Sequence, residues 1–328
     1  MENERKDIRY YSQNNIKLQN LIRYVNKETL IQMHTKQKKG KVSGIDRITK
    51  EEYEENLEEN IENLIERMKK FSYKPLPVRR TYIPKANGKL RPLGIPAYED
   101  RLVQGVMANV LNQIYEVKFL ECSYGFRPNR NAHQAIREIN QRIMIDRVNY
   151  ILDCDIKGFF DNVKHKWLME FLRHDIQDEA FLRYVNRFLI SGYMEDMKIH
   201  ESDKGTPQGG LISPILANVY LHYVLDLFFE KAIKPNLKGE AHMVRYADDF
   251  VFMFQYEEEA IKVYQIIKER LAKFGLELEE DKTRILPFGR FKGTNETFSF
   301  LGFTHYNGKT RTGKYTVGHK MNKKKRKL

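Results

Sequence analysis

Apolar and polar positions recur along the chain in patterns that predict several helices and fewer, shorter strands. Residues 51–70 place apolar side chains at helical spacing with acidic residues between them, which predicts an amphipathic helix with a solvated acidic face. Similar patterns predict helices over 99–119, from near Ala132, from about Pro214, and over 257–274. The segments between these helices have strand or turn patterns, and they contain aspartates and basic residues at positions where apolar residues are usual.

The segment VRYADDFVFMF, residues 244–254, places two aspartates between two apolar runs of strand type. A buried carboxylate is costly unless a cation or hydrogen-bond donors meet it. A second short strand, Tyr150–Ile156, is interrupted by Asp153 and Asp155. If the two strands are neighbours in one sheet, three carboxylates converge, and hard oxygen ligands of this kind suit Mg²⁺. Spacing alone leaves a solvated Asp-Asp turn open as the alternative.

The stretch FSYKPLPVRRTYIPKANGKLRPLGIP predicts a β-hairpin that concentrates positive charge. Asn87-Gly88 is a strong turn signal between two strand-like runs, and the prolines before them exclude a helix. The hairpin has five cations and no acidic residue to balance them: Arg79, Arg80, Lys85, Lys89 and Arg91. Such a hairpin is a candidate phosphate-binding element, with a lysine-rich solubilising edge as the alternative.

Length and charge narrow the functional class. The 328 residues are enough for one large or two ordinary domains, each with its own core. The net charge of +13 indicates a polyanionic partner such as nucleic acid, with a merely soluble basic protein as the alternative. No apolar stretch reaches the roughly 20 residues that span a bilayer. Two cysteines, Cys122 and Cys154, are too few for a disulfide framework, so we expect an intracellular, reducing compartment.

Seven segments resemble, in the family's order, the motifs of bacterial group II intron-type reverse transcriptases. They are RRTYIPKANGKLRPLGIP, SYGFRPNRNAHQAI, LDCDIKGFFDNV, GTPQGGLISPILANVYLH, YADD, EEDKTRI and FLGF, and the resemblance as a whole covers about residues 40–306. The QGGLISP and GFRPNR forms resemble the group II lineage rather than retroviral or diversity-generating enzymes. The resemblance implies an α+β chain with the right-hand polymerase fold: a palm with an antiparallel sheet packed on helices, and fingers of mixed helices and hairpins.

The resemblance also implies a domain division. We expect an N-terminal basic extension over 1–45, fingers over 46–145 with part of 165–205, a palm over 146–306, and a basic tail over 307–328. Family members continue after FLGF into a helical thumb, and often into a DNA-binding and endonuclease region. The tail is therefore expected to be the start of a missing thumb, without an HNH-type nuclease cluster, and processivity is expected to be weak.

Carried over residue by residue, the motifs imply a two-metal catalytic site. Asp155 and Asp248 would be the principal metal ligands, Asp249 the third carboxylate, and the backbone carbonyl of Ile156 a further ligand. Lys282 resembles the lysine that protonates the pyrophosphate leaving group, with an ordinary surface lysine as the alternative. The implied cofactors are two Mg²⁺ ions, with Mn²⁺ able to substitute.

The same comparison implies residues that hold the substrates. Lys85 and Arg91 would grip the incoming dNTP, and Gln208 would lie under the nucleotide and template. Phe160 would exclude a ribose 2′-OH, with a core phenylalanine beside Phe159 as the alternative. The primer and template would contact a further set: Tyr246, Arg79, Arg80, Arg127, Arg130 and Gly302.

The implied function is that of a group II intron RNA-directed DNA polymerase, active in retrohoming, in which a primer 3′-OH attacks the α-phosphate of a dNTP. An RNA-binding maturase role in intron splicing would accompany it. Its partners would be intron RNA as template, a DNA primer and dNTPs, with no membrane, in a bacterial cytoplasm; a homo-oligomer is compatible with the sequence. Alternatives are an RNA-binding maturase without polymerase activity, a domesticated or CRISPR-associated relative, and an RNA-templated RNA polymerase, against which Phe160 argues. The maturase would assist splicing through N-terminal cations: Arg5, Lys6, Arg9, Lys17, Arg23 and Lys27.

Overall fold

A computed structural model of the chain describes residues 2–84, 90–195, 198–200, 203–206 and 209–321, with side chains from residue 7 onward. The chain divides into two compact units. Unit 1 comprises Met1–Lys118 and Phe160–Val219, and unit 2 comprises Phe119–Phe159 and Tyr220–Leu328. No helix among the described residues is both long enough and apolar enough to cross a membrane.

Groups of helices and mainly antiparallel sheets follow one another along the described residues, which confirms the α+β class. The helices are α1 (Glu2–Gln13), α2 (Lys27–Lys36), α3 (Lys50–Glu54), α4 (Leu57–Lys69), α5 (Tyr98–Tyr115), α6 (Ala132–Ile145), α7 (Phe159–Asn162), α8 (His165–Asp175), α9 (Glu179–Ile190), α10 (Ser213–Leu221) and α11 (Glu257–Lys273). Short 3₁₀ segments occur at Leu21–Tyr24 and Lys234–Asn236, and π-helical segments at His222–Asp226 and Phe229–Ile233. The strands are β1 (Val78–Pro84), β2 (Leu90–Ile95), β3 (Tyr150–Asp155), β4 (Tyr193–Glu195), β5 (Lys198–His200), β6 (Ala241–Tyr246), β7 (Asp249–Phe254), β8 (Arg284–Pro287), β9 (Thr297–Phe300), β10 (Phe303–Lys309) and β11 (Tyr315–Met321).

Unit 1 is built around α5, which is buried along most of its length and against which α1 and α2 pack. Its four-stranded sheet has the order β2-β1-β4-β5, with β1 antiparallel to β2 and parallel to β4. The predicted hairpin strands are confirmed, whereas the predicted Asn87-Gly88 turn lies outside the described residues. The single helix predicted over 51–70 is wrong in one respect, because Asn56 leaves the helical region (φ −127°, ψ 43°) and separates α3 from α4.

Unit 2 contains an antiparallel four-stranded sheet with the order β6-β7-β3-β8. Helix α11 packs on β3 and β7, and α6 packs on β6. Strand β7 is buried from Phe250 to Phe254, which explains why its apolar run is continuous rather than alternating. This arrangement is the sheet packed on helices that the motifs imply for a palm.

Unit 2 also contains the three-stranded antiparallel sheet β11-β10-β9. Most of the segment expected to be a basic tail, residues 307–321, completes β10 and forms β11. A tight turn joins these strands, in which Gly313 adopts φ 79° and Thr310 N–H donates to the Lys314 carbonyl at 2.7 Å. The described part of this segment is therefore hairpin, and residues 322–328 lie outside the described residues.

Candidate active site

The predicted convergence of the two aspartate-bearing strands is confirmed. Strand β3 pairs with β7 so that Asp155, the last residue of β3, lies directly opposite Asp249, the first residue of β7. Tyr246 pairs with Asp249 at the end of the β6-β7 hairpin, so Ala247 and Asp248 form its two-residue turn. The pleat and the short turn together place Asp155, Asp248 and Asp249 at one edge of the sheet.

The pKa values at this edge reflect burial first and the neighbouring carboxylates second. The pKa of Asp249 is raised to about 8, by burial first and then by the charges of Asp153, Asp155 and Asp248, against one backbone hydrogen bond from Leu301 that lowers it. A carboxyl group held in this way releases its proton readily only when a cation comes close. The edge is therefore a site where positive charge is strongly favoured.

Lys282 supplies one such charge. Its ammonium group contacts the Asp155 carboxylate, and this hydrogen bond raises the pKa of Lys282 although partial burial lowers it. The loop between α11 and β8 is held to β3, because Glu279 N–H donates to the Asp155 carbonyl at 2.8 Å. Lys282 therefore remains protonated at neutral pH, and its role as a proton donor stays a prediction.

Asp153 is a residue of this edge that the sequence reasoning left out of the site. It lies two positions before Asp155, hence on the same face of β3, and it pairs in register with Val251 and Arg284. The pKa of Asp153 is raised to about 7, by burial first and also by the charge of Asp155, against the charge of Arg284, which lowers it. The two-residue spacing within an apolar strand is the signal that could have identified it.

The FLGF turn lies beside Asp249. Phe300 pairs with Phe303, so Leu301 and Gly302 form a two-residue turn with positive φ at both positions (51° and 83°). The Leu301 N–H that bonds Asp249 links this turn to the β6-β7 hairpin. Gly302 thus lies one residue from a direct contact with the site, and its role in binding the primer stays a prediction.

Three further residues predicted to contact primer or template lie in unit 2 and have protein partners. Arg127 is buried, with its guanidinium donating to the carbonyls of Leu120 and Ser123, both at 2.8 Å. Arg130 contacts the Glu121 carboxylate at 2.5 Å. These contacts order the SYGFRPNR loop. Tyr246 packs on the hydrophobic core, and the contacts of all three residues with nucleic acid stay predictions.

The predicted substrate residues of unit 1 lie on its sheet and on α7. Arg91 is exposed on β2, whereas Arg79 donates to the Ser43 carbonyl at 2.7 Å and Arg80 stacks over the Tyr193 ring at 3.5 Å. Phe160 is partly buried, and its neighbour Phe159 is core at 1% exposure, which confirms that one of the pair is a core residue. Lys85 and Gln208 lie outside the described residues.

The donor set at the sheet edge fits a hard divalent cation. Asp155, Asp248 and Asp249 offer carboxylate oxygens on adjoining positions, which is the ligand chemistry of Mg²⁺. Among the described residues, a tighter cluster occurs elsewhere in unit 2, where Asp146, Glu240 and His242 bring ligand atoms within 4.8 Å of one another. This cluster is separate from the predicted aspartates.

Comparison with known proteins supplies the context for this site. Residues 83–305 match the family described as "Reverse transcriptase (RNA-dependent DNA polymerase)". Protein YkfC of Escherichia coli is 31% identical over 307 residues, covering 84% of this chain and 78% of YkfC. The group II intron-encoded protein LtrA of Lactococcus lactis is 42% identical over 166 residues, covering 50% of this chain but 27% of LtrA.

Among solved structures, telomerase from Candida albicans in complex with a fragment of telomeric RNA aligns with a TM-score of 0.53 at 15% identity. The alignment covers 78% of this chain and 46% of that chain. A likeness at this identity concerns the fold alone. It confirms the right-hand polymerase fold that the sequence motifs imply.

Proposed function

The chain belongs to the reverse transcriptase family of RNA-dependent DNA polymerases, and we propose that it copies group II intron RNA into DNA. The observation that carries this proposal is the pairing of Asp155 opposite Asp249, with Asp248 in the adjoining turn. The 42% identity to LtrA supports the intron as the source of the template.

In the proposed reaction, the primer 3′-OH attacks the α-phosphate of a dNTP and pyrophosphate leaves. Asp155, Asp248 and Asp249 would hold two Mg²⁺ ions. When bound, these would lower the pKa of the primer hydroxyl and neutralise charge on the triphosphate. The chain's own contribution is to position the reactants and to bring positive charge close to them.

Individual residues take separate parts in this scheme. Lys282, kept protonated beside Asp155, donates a proton to the leaving pyrophosphate. Arg91 and Lys85 hold the triphosphate, and Phe160 excludes the ribose 2′-OH, which selects dNTPs over ribonucleotides.

Primer extension on poly(rA)/oligo(dT) with dTTP and Mg²⁺ tests the proposal. We expect extension by the wild type and its loss in Asp248→Asn, with the affinity for the template–primer duplex kept. Asp7→Asn is the matched control, because it changes the net charge by the same amount at an exposed position of α1. Extension by Asp248→Asn at the wild-type rate would refute the assignment of the site.

A second candidate function is that of a maturase, which binds intron RNA and assists its splicing. The net charge of +13 favours this role beside the first, because a basic chain binds RNA without using the aspartates. We expect Asp248→Asn to support splicing of a bound intron RNA as well as the wild type does. Loss of splicing in that variant would show that the two activities share one site.

A further inference from the structure

Arg245, the residue before YADD, is a fully buried cation behind the catalytic turn. Its side chain has 0% exposure, and its guanidinium donates to both carboxylate oxygens of Asp226, at 2.7 and 2.6 Å. It also donates to Ser123 Oγ at 2.8 Å and to the backbone carbonyl of Ala247 at 2.9 Å. One side chain thus joins a π-helical segment, the SYGFRP loop and the turn itself.

The turn that Arg245 binds is strained. Ala247 adopts φ 58° at the first position of a two-residue hairpin turn, a conformation that favours glycine. A residue with a Cβ is strained in this region, and the conformation persists where the surroundings hold it in place. The hydrogen bond from Arg245 to the Ala247 carbonyl therefore stabilises the turn at its strained residue.

Backbone contacts also join the SYGFRP loop to the strand and turn that contain Arg245 and Ala247. Arg245 N–H donates to the Cys122 carbonyl at 2.7 Å, and Tyr124 N–H donates to the Arg245 carbonyl at 2.8 Å. A Cβ added to Gly125 would lie 2.4 Å from the Ala247 nitrogen. The loop and the turn are therefore in backbone contact, and Arg245 lies at the centre of that contact.

We propose that Arg245 is a positioning residue that fixes the turn bearing Asp248, acting through the Ala247 carbonyl and anchored by Asp226 and Ser123. This inference rests on the proposed function. Its effect on the reaction is indirect, because Arg245 holds the backbone that aims the Asp248 carboxylate.

The charges of the Arg245–Asp226 pair indicate that Arg245 positions the turn. Burial opposes the charge of Arg245, but the Asp226 carboxylate outweighs it and raises the pKa of the guanidinium, so the pair is charged. A buried ion pair is a weak source of stability, and an apolar pair of similar volume often stabilises a fold as well or better. An apolar pair has no donor for the Ala247 carbonyl, so the ion pair supplies orientation that packing alone does not.

The test separates stability from positioning with the double variant Arg245→Met/Asp226→Leu, which removes both charges and leaves neither unpaired. The readouts are Tm, kcat and KM for addition of one dTTP, and the Mg²⁺ concentration at half-maximal rate. We expect Tm within a few degrees of wild type, kcat about 100-fold lower, a higher Mg²⁺ requirement and little change in KM for dTTP. Wild-type kcat in the folded double variant would overturn the proposal.

Arg245→Lys keeps the test decisive if the double variant fails to fold. The ammonium keeps the charge opposite Asp226, but a single nitrogen is a poor bridge between Asp226, Ser123 and Ala247 together. We expect a folded protein with kcat at least about tenfold lower, and wild-type kcat with an unchanged Mg²⁺ requirement would again overturn the proposal. Failure of the wild-type chain itself to incorporate dTTP would instead overturn the proposed function, and this inference with it.

Discussion

Gly125→Ala adds a single methyl group behind the catalytic turn, and its effect follows from the backbone geometry. The new Cβ would lie 2.4 Å from the Ala247 nitrogen and 3.0 Å from the Tyr246 carbonyl carbon. Ordinary contact begins near 3.4 Å, so the loop and the turn must separate by about 1 Å. Both sides of the contact are backbone, so a rotamer change does not relieve the clash.

The expected magnitude follows from that displacement. Overpacking of this kind costs about 1–3 kcal/mol of stability. A misplacement of about 1 Å at catalytic groups costs about 100-fold in rate. We therefore expect Gly125→Ala to remain folded, with Tm lowered by several degrees and kcat for addition of one dTTP reduced about 100-fold.

Single-turnover incorporation and thermal unfolding, measured on the same preparations, provide the assay. Gly308→Ala on β10 is the matched control, because its nearest neighbour atom would lie at an ordinary 3.5 Å and its backbone φ is not positive. We expect the control to keep wild-type kcat. A Gly125→Ala protein with kcat within twofold of wild type would refute the claim that this loop supports the turn.

Three further results are expected. Burial and the charge of His319 lower the pKa of His305 to about 4, so its contribution to stability is present above the unfolded pKa of about 6.5 and is lost as pH falls toward 4. Between pH 7 and pH 4, the free energy of unfolding measured in urea should fall by about 3 kcal/mol more in wild type than in His305→Phe. Equal pH profiles of the two proteins would contradict this expectation. Lys282→Met should slow incorporation about 100-fold whereas the exposed Lys268→Met should not, measured by single-turnover kinetics; equal rates would remove Lys282 from the mechanism. Phe160→Ala should accept ribonucleotides, and unchanged discrimination in a competition assay would show that Phe160 is not the steric gate.

The helices and strands of the palm, and the sheet edge with Asp155, Asp248 and Asp249, could be predicted because local sequence patterns indicate both. The apolar runs interrupted by Asp155 and by Asp248-Asp249 can be read from the sequence. The resemblance of the motifs to the family then implied that these aspartates form one site. The break at Asn56 escaped prediction because helical periodicity continues through it. A single residue that leaves the helical region does not disturb the spacing of the apolar positions around it.

Arg245 escaped prediction for a different reason. Its partners Ser123 and Asp226 are 122 and 19 residues away in sequence, so no local pattern shows that the cation is buried and paired. Arg127 and Arg130, which the resemblance assigns to the primer and template, have hydrogen-bond partners four to nine residues away in sequence: the carbonyls of Leu120 and Ser123, and Glu121. A motif shows where the chain has a cation, whereas the group that this cation contacts is determined by the tertiary structure.

The central claim is that Asp155 and Asp248 act as one metal-binding site in nucleotidyl transfer. Single-turnover incorporation of dTTP by Asp155→Asn, Asp248→Asn and the double variant tests it most directly. Groups that act as a unit have non-additive effects. We expect each single variant to lose at least about 1000-fold in rate and the double variant to be no slower than either. A single variant within tenfold of wild type, or losses that multiply in the double variant, would contradict the account.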